Sequence, residues 1–189
     1  DLYDGDGLYN GESCYTMRGA STCTDVSQIP DKATDDGTIF KATVAYTPNE
    51  DMMLYATISE GYRAGFLNSP GGYVSNDGLY TVPFEFGSDD MTNYEFGWKS
   101  VLQDGRLRFN GSVFMVDISG LQTTIFDPSI ANLFFSDNAA DSEITGVEGD
   151  FTYYTNTDGL VISGAFSMLD TEIKKSLTTS DVVAGMPLA

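Results

Sequence analysis

The fold of this chain is decided by residues 92–113, which read TNYEFGWKSVLQDGRLRFNGSV. Within 92–100, aromatic side chains alternate with polar or small ones, which is the two-residue period of a β-strand. Asp104 and Gly105 follow, and these residue types favour the backbone angles that close a short reversal. Alternation then resumes over 107–113. The stretch therefore predicts two antiparallel strands joined by a tight turn.

The same arrangement occurs at two other places in the chain. Turn residues at 47–51 and 156–159 are each flanked by alternating segments, and long polar stretches at 63–90 and 119–141 separate the hairpins. No segment shows sustained apolar recurrence at helical spacing, which indicates an all-β chain. Short turns at one end, long loops at the other and strands of about ten residues are typical of an outer-membrane β-barrel.

The charged side chains in the strand centres fall on the face opposite the large apolar ones. The charged set is Glu95, Lys99, Glu148 and Asp150, and the apolar set includes Phe96, Phe109 and Phe151. A basic residue facing lipid near mid-bilayer costs about 2 to 4 kcal/mol, whereas a residue facing an aqueous lumen costs little. We therefore expect the charged face to line a wet interior and the apolar face to contact hydrocarbon. A soluble sandwich with its charges toward solvent is the alternative.

The charge of the chain excludes one class of partner. Its 189 residues include 28 acidic and 9 basic side chains, for a net charge of −19. Nucleic acid is excluded because no basic surface can release counterions from a phosphate backbone. Acidic residues cluster in predicted loops, as at 1–6, 35–36 and 89–90, where a solvated acidic surface is favoured over a divalent-cation site. No apolar run reaches the length of a transmembrane helix, which leaves insertion as a β-barrel open.

Cys14 and Cys23 are the two cysteines of the chain, and they lie close together in a polar stretch containing Gly and Ser. This proximity predicts a disulfide formed in an oxidising compartment, the periplasm or beyond. Two free thiols without a role are the alternative. Their spacing matches no zinc pattern, and the chain has no histidine to complete one.

The sequence gives no positive indication of catalysis. Neighbouring carboxylates such as Asp89 and Asp90 could in principle act as acid and base. However, the chain has no histidine, no Gly-x-Ser-x-Gly elbow, no phosphate-cradling glycine loop and no cluster of metal ligands. We therefore expect no enzyme activity and no catalytic, cofactor-binding or metal-binding residues.

Four stretches of the chain, in this order, are similar to signatures of TonB-dependent outer-membrane receptors. They are LYATISEGYRAGFLN at 54–68, TNYEFGWKS at 92–100, GRLRFNGSVF at 105–114 and ITGVEGDF at 144–151. The second resembles the NYExGxK strand of the family, the third its return strand and the fourth its GxE strand. The resemblance extends over about residues 38 to 173, and the agreement of four motifs in order is strong.

The resemblance implies a barrel of about 22 strands whose lumen is closed by an N-terminal plug domain. It also implies active uptake of a scarce nutrient, with energy from the inner-membrane protein TonB acting through the plug. On this expectation 1–36 is a long extracellular loop, 37–173 supplies about six barrel strands with long extracellular loops and short periplasmic turns, and 174–189 begins a further extracellular loop. The plug lies outside this chain. The expected setting is the outer membrane of a Gram-negative bacterium, in contact with its lipid and without a cofactor.

In such a receptor a small-molecule ligand first meets the long loops. We expect ligand contacts from aromatic or cationic loop residues, namely Arg63, Tyr73, Tyr80, Phe126 and Phe134. For the aromatic residues the alternative is packing within the loops, and Arg63 can instead pair with a neighbouring carboxylate. A ferric siderophore is the first candidate ligand, before a corrinoid or an oligosaccharide. The rival functions are a passive outer-membrane porin and, more remotely, a secreted β-sandwich adhesin or hydrolase.

Overall fold

The computed structural model describes residues 12–17, 20–25, 30, 32–68, 71–72, 80–126 and 134–176. The regular structure of these residues is antiparallel β, and none of them belongs to a helix long and apolar enough to cross a membrane. The strands in chain order are β1 Glu12–Met17, β2 Ala20–Asp25, β3 Lys41–Asn49, β4 Met52–Arg63, β5 Phe66–Leu67, β6 Glu85–Phe86, β7 Asp89–Leu102, β8 Leu107–Phe126, β9 Phe134–Tyr154 and β10 Val161–Ser176.

Six of these strands form one sheet in the order β10-β9-β8-β7-β4-β3. All neighbours in this sheet are antiparallel, and β1–β2 and β5–β6 are separate two-stranded sheets. The turns joining β3 to β4, β7 to β8 and β9 to β10 lie at one end, here named the tight-turn end, and the longer connections lie at the long-loop end. In the described part of the chain β3 and β10 are the edges, so the sheet is not closed. These features confirm the predicted antiparallel barrel segment with its three hairpins.

The turn between β7 and β8 lies where its sequence predicts, over residues 103–106. Gln103, Asp104 and Gly105 all have positive φ values, +55°, +56° and +91°, and the last directly opposed pair is Leu102 with Leu107, so the loop has four residues. The N–H of Arg106 donates to the carbonyl oxygen of Gln103 at 3.3 Å and closes the reversal. The Asp-Gly pair therefore sets the register of this hairpin.

The register of the sheet places charged and apolar side chains on opposite faces. Directly opposed residues of neighbouring strands share a face, and Glu95 is opposite Phe114 whereas Phe96 is opposite Val113. Repeated across the strands, this register defines a polar face with Lys41, Tyr55, Glu95, Lys99, Asn110, Glu148 and Asp150, and an apolar face with Val44, Leu54, Phe96, Trp98, Phe109, Val113, Val147, Phe151 and Phe166. The expected separation of the two sets is confirmed. The register also assigns Phe114 to the polar face. The sequence alone does not decide this, because the apolar residues 114–116 interrupt the alternation.

A polar row with four carboxylates bounds the apolar face at the long-loop end. Register places Glu60, Thr92, Asp117, Glu143 and Glu172 side by side, on β4, β7, β8, β9 and β10 in turn. Between this row and the tight turns each strand has about ten residues, which is the length needed to cross a bilayer. We refer to this part of the sheet as the apolar band.

Aromatic rings cover glycines of neighbouring strands. The directly opposed pairs are Tyr55 with Gly97, Trp98 with Gly111, Phe114 with Gly146, Phe166 with Gly149 and Phe151 with Gly164. A Cβ added at any of these glycines would come within 3.0 Å of a ring atom. Because glycine has no side chain, these positions leave the space that the rings occupy, on both faces of the sheet.

Parts of the predicted loops are strands. The predicted loop 119–141 contains the end of β8, which runs to Phe126, and the start of β9 at Phe134. The β-branched and aromatic residues at 123–126 and 134–135 favour strand pairing although polar residues surround them. The predicted loop 1–36 contains the β1–β2 hairpin, and β10 continues past 173 to Ser176.

Candidate functional site

Residues 64–88, here named loop 64–88, connect β4 to β7, and the described parts of this loop, 64–68, 71–72 and 80–88, pack against the ends of β8 and β9 at the long-loop end of the sheet. Tyr80 and Val82 of this loop form a small buried core with Ile125 and Phe135. The Tyr80 hydroxyl donates to Asp137 Oδ2 at 2.7 Å, and the rings of Tyr80 and Phe135 lie 5.8 Å apart between centroids. Burial and this hydrogen bond raise the pKa of Tyr80, so the phenol remains a donor at physiological pH. The loop is thus attached to β8 and β9 by its own core.

An ion pair between Arg63 and Asp89 closes the base of the loop; its carboxylate is buried, whereas its guanidinium side chain is about half exposed. Asp89 is 2% exposed. Its carboxylate accepts hydrogen bonds from Arg63 Nε at 3.0 Å, from Arg63 Nη2, and from the backbone N–H of Gln122 at 3.1 Å. Burial opposes ionisation, but the hydrogen bonds from Arg63 and Gln122 outweigh it, so the pKa of Asp89 lies below its ordinary value. The hydrogen bond to Asp89 raises the pKa of Arg63, and this pair joins β4, β7 and β8 above the apolar band.

Three side-chain amides fix the backbone around this base. Each lies within hydrogen-bond distance of carbonyl oxygens from separate segments: Gln122 Nε2 reaches Arg63, Ala64 and Gly87, Asn138 Nδ2 reaches Gly87, Ser88 and Gly120, and Asn68 Nδ2 reaches Pro83 and Ser136. The amide oxygens of Asn138 and Asn68 also accept from the N–H groups of Gly87 and Ser136, at 2.7 and 2.8 Å. Amides suit this position because they supply donors and an acceptor without adding charge. They hold both ends of loop 64–88 against β8 and β9.

Two of the predicted ligand-contacting residues take part in this support. Arg63 pairs with Asp89, while 55% of its side chain remains exposed. Tyr80 lies in the loop core at 9% exposure and contacts Asp137. Tyr80 therefore has the packing role that the sequence left as the alternative to ligand contact. Tyr73 lies outside the described residues.

Phe126 and Phe134 form an exposed aromatic pair at the ends of β8 and β9. Their ring centroids are 4.9 Å apart, and 41% and 67% of the two residues are exposed. Because Ile125 and Phe135 form the adjacent register pair, Phe126 and Phe134 point to the face opposite the loop core. Of the five predicted residues, these two present the largest apolar surface to solvent in the described structure.

The residues that organise the site have no distinguishing mark in the sequence. Asp89 is one of two neighbouring carboxylates in a polar stretch, and Gln122 and Asn138 resemble the other polar residues around them. Their partners are distant in sequence, and no local pattern marks them. Phe66, which is 62% exposed and lies 6.3 Å from Phe86 between ring centroids, was also missed, although it belongs to the recognised stretch 54–68.

At the level of the apolar band, the polar face of the sheet carries a second group of polar contacts. Tyr55 donates to Glu95 at 2.6 Å, and Asn110 donates to Asp150 at 3.1 Å. Tyr55, Asn110 and Asp150 lie along an open groove of about 710 Å³, which Lys99, Glu148 and the aromatic residues Trp98 and Phe166 also line. Among the described residues no group of three or more His, Cys, Asp or Glu side chains is placed to hold a metal ion. The groove therefore combines charged and aromatic side chains.

The two predicted disulfide partners lie in the β1–β2 hairpin. The backbone register places Cys14 directly opposite Cys23, in the middle of the two strands. The sequence placed both residues in one loop, whereas the structure adds that they occupy matching positions on adjacent strands.

Comparisons with known proteins agree with this architecture. The family model "TonB dependent receptor-like, beta-barrel" matches residues 16–187. Among solved structures, the chain is similar to the ferric yersiniabactin uptake receptor FyuA from Yersinia pestis, with a TM-score of 0.59 and 17% sequence identity. That match covers 87% of this chain and 22% of FyuA, so the chain spans about a fifth of that receptor, and the likeness concerns the fold. A comparison with curated protein sequences finds no match. Because the family model covers most of its length, this chain belongs to the TonB-dependent receptor-like β-barrel family.

Proposed function

We propose that this chain forms part of the wall of an outer-membrane receptor that takes up a scarce nutrient with energy supplied by TonB. Its family comprises receptors and transporters of the Gram-negative outer membrane and is not an enzyme family. The first candidate ligand is a ferric siderophore, because the similar structure is a ferric yersiniabactin uptake receptor. A corrinoid or an oligosaccharide remains a second candidate. TonB acts through a plug domain that lies outside this chain.

The observation that carries this proposal is the register of the sheet. It puts Phe96, Val113 and Val147 on one face and Glu95 and Lys99 on the other. In the proposed barrel the first face contacts lipid and the second lines an aqueous lumen. Six strands are fewer than the minimum of about eight in membrane barrels, and an open edge in lipid leaves backbone groups unpaired. The chain therefore acts together with further strands of the same barrel. The tight turns face the periplasm and the long loops face outward.

The proposed ligand surface lies on the supported long-loop end. Phe126 and Phe134 present flat apolar area, and Tyr80 and Val82 of loop 64–88 pack against the strands that carry them. Arg63, which is half exposed and oriented by Asp89, offers a cation to an acidic group of the ligand. Aromatic surface of this kind contributes binding energy with little loss of side-chain entropy.

The test uses the full-length receptor that contains this chain, produced in a Gram-negative host with and without TonB. We expect uptake of a radiolabelled ferric siderophore that disappears without TonB and falls at least about tenfold in the F126A/F134A variant. Tyr154→Ala, which changes an exposed aromatic residue near the tight-turn end, is the matched control and should leave uptake unchanged. Uptake that is independent of TonB, together with swelling of liposomes that contain the receptor, would indicate a passive porin and overturn the proposal.

A further inference from the structure

The β1–β2 hairpin is a two-stranded sheet of its own, separate from the six-stranded sheet. It pairs in continuous register from Glu12 with Asp25 to Met17 with Ala20. An isolated two-stranded hairpin is marginally stable in water because it buries little apolar surface. This hairpin therefore needs a further source of stability if it is to keep a fixed shape.

The two cysteines of the chain are placed so that a bond between them can supply this stability. Cys14 and Cys23 are directly opposed in the antiparallel register. Opposed residues in such a ladder have Cα atoms about 4.5 to 5.5 Å apart. Disulfides span Cα separations of about 4.4 to 6.8 Å, so a directly opposed pair lies within the range that the bond can span. A chain with two cysteines and no histidine lacks the ligands of a structural zinc site.

We propose that Cys14 and Cys23 form a disulfide that staples the β1–β2 hairpin. The proposal rests on the proposed function in one respect, because it requires export to an oxidising compartment. The oxidant is a protein dithiol catalyst in its disulfide form. One cysteine thiolate attacks the catalyst disulfide and gives a mixed disulfide, and the other displaces the catalyst as a dithiol. The receptor thus loses two electrons and two protons, and the catalyst gains them.

The bond is tested in the full-length receptor, with free thiols blocked by N-ethylmaleimide at cell lysis and the protein digested without reduction. We expect mass spectrometry to detect one linked peptide pair that contains Cys14 and Cys23 and separates on reduction. Cys14→Ser should convert Cys23 to the alkylated form. Recovery of both cysteines in the alkylated form from receptor in the outer-membrane fraction would overturn the disulfide and leave the proposed function intact.

Receptor that does not reach the outer membrane would contradict the proposed function instead. In that case the receptor is refolded in a glutathione redox buffer to test the disulfide separately. Linkage of Cys14 to Cys23 supports the proposed bond, and persistent free thiols overturn it.

Stapling is measured separately by hydrogen exchange. Reduction of the wild type, or the C14S/C23S double variant, should speed exchange of the amides in 12–25 on the order of tenfold and leave those of β7 and β8 unchanged. Equal exchange in the oxidised and reduced protein would show that the bond does not stabilise the hairpin and would overturn that part of the proposal.

Discussion

The ion pair of Arg63 and Asp89 is the residue-scale feature on which the long-loop end depends. The buried carboxylate of Asp89 loses its hydrogen-bond donors when Arg63 is removed, but 55% of the Arg63 side chain is exposed and water can partly replace it. We therefore expect Arg63→Met to lower the stability of this junction by about 1 to 3 kcal/mol. Arg63→Lys keeps the charge without the forked geometry and should cost less. Hydrogen exchange of the loop 64–88 amides in the full-length receptor measures the effect. The control is Glu85→Gln, an exposed carboxyl in the same loop, and equal protection in R63M and wild type would contradict the expectation.

The same pair predicts a pH dependence with a defined sign. Burial acts against ionisation of Asp89, but Arg63 and Gln122 outweigh it and lower its pKa in the folded protein. The stabilisation is therefore complete above the pKa of the unfolded chain, near 3.8, and is lost as the pH falls through the lower folded-state value. Within the acidic range in which pepsin is active, we expect it to spare loop 64–88 of the wild type at the higher pH values and to cut it as the pH falls through the folded-state pKa of Asp89. In Asp89→Asn the loop should be cut at every pH at which pepsin is active, with no transition attributable to this group.

At the scale of elements, hairpins were predictable and the longer-range pairings were not. The β7–β8 hairpin follows from local alternation and from Asp104-Gly105, so residues 92–113 suffice to define it. The pairing of β4 with β7 crosses the whole of loop 64–88, and no local pattern encodes it. The sequence predicts loop at the outer ends of β8 and β9 because polar residues dominate there, and the apolar pair of Ile125 with Phe135 packs against loop 64–88 only in the folded chain.

The pairing of Gly97 with Tyr55 predicts the effect of adding one methyl group to a strand. A Cβ at Gly97 would collide with the Tyr55 ring, so Gly97→Ala should displace the ring, weaken its hydrogen bond to Glu95 and destabilise the sheet by about 1 to 3 kcal/mol. The measurement is gel electrophoresis of samples heated in steps, which gives the temperature at which the band of the folded receptor is lost. Because Tyr55→Ala removes the clashing ring, the double variant should lose less than the sum of the single losses. Additive losses would show that the two residues do not interact.

The membrane placement of the whole molecule is tested by one pair of adjacent residues on β10. Met168 lies in the apolar row with Val147, and Ser167 lies in the polar row with Glu148. Met168→Lys puts a charge toward lipid and should cost about 2 to 4 kcal/mol, whereas Ser167→Lys puts it toward the lumen at little cost. The amount of folded receptor in the outer-membrane fraction is the measurement. Equal assembly of the two variants would mean that the apolar face does not contact lipid.

The sequence by itself determined the all-β class, the three hairpins, the two faces and the family resemblance, because strand alternation and turn chemistry are local properties. Only the tertiary structure decided the support of the long-loop end. Asp89, Gln122 and Asn138 bond to groups tens of residues away, and Tyr80 becomes a core residue only when β8 and β9 come to lie beside its loop. Such contacts depend on which distant segments lie side by side in the folded chain, and local sequence patterns do not encode that.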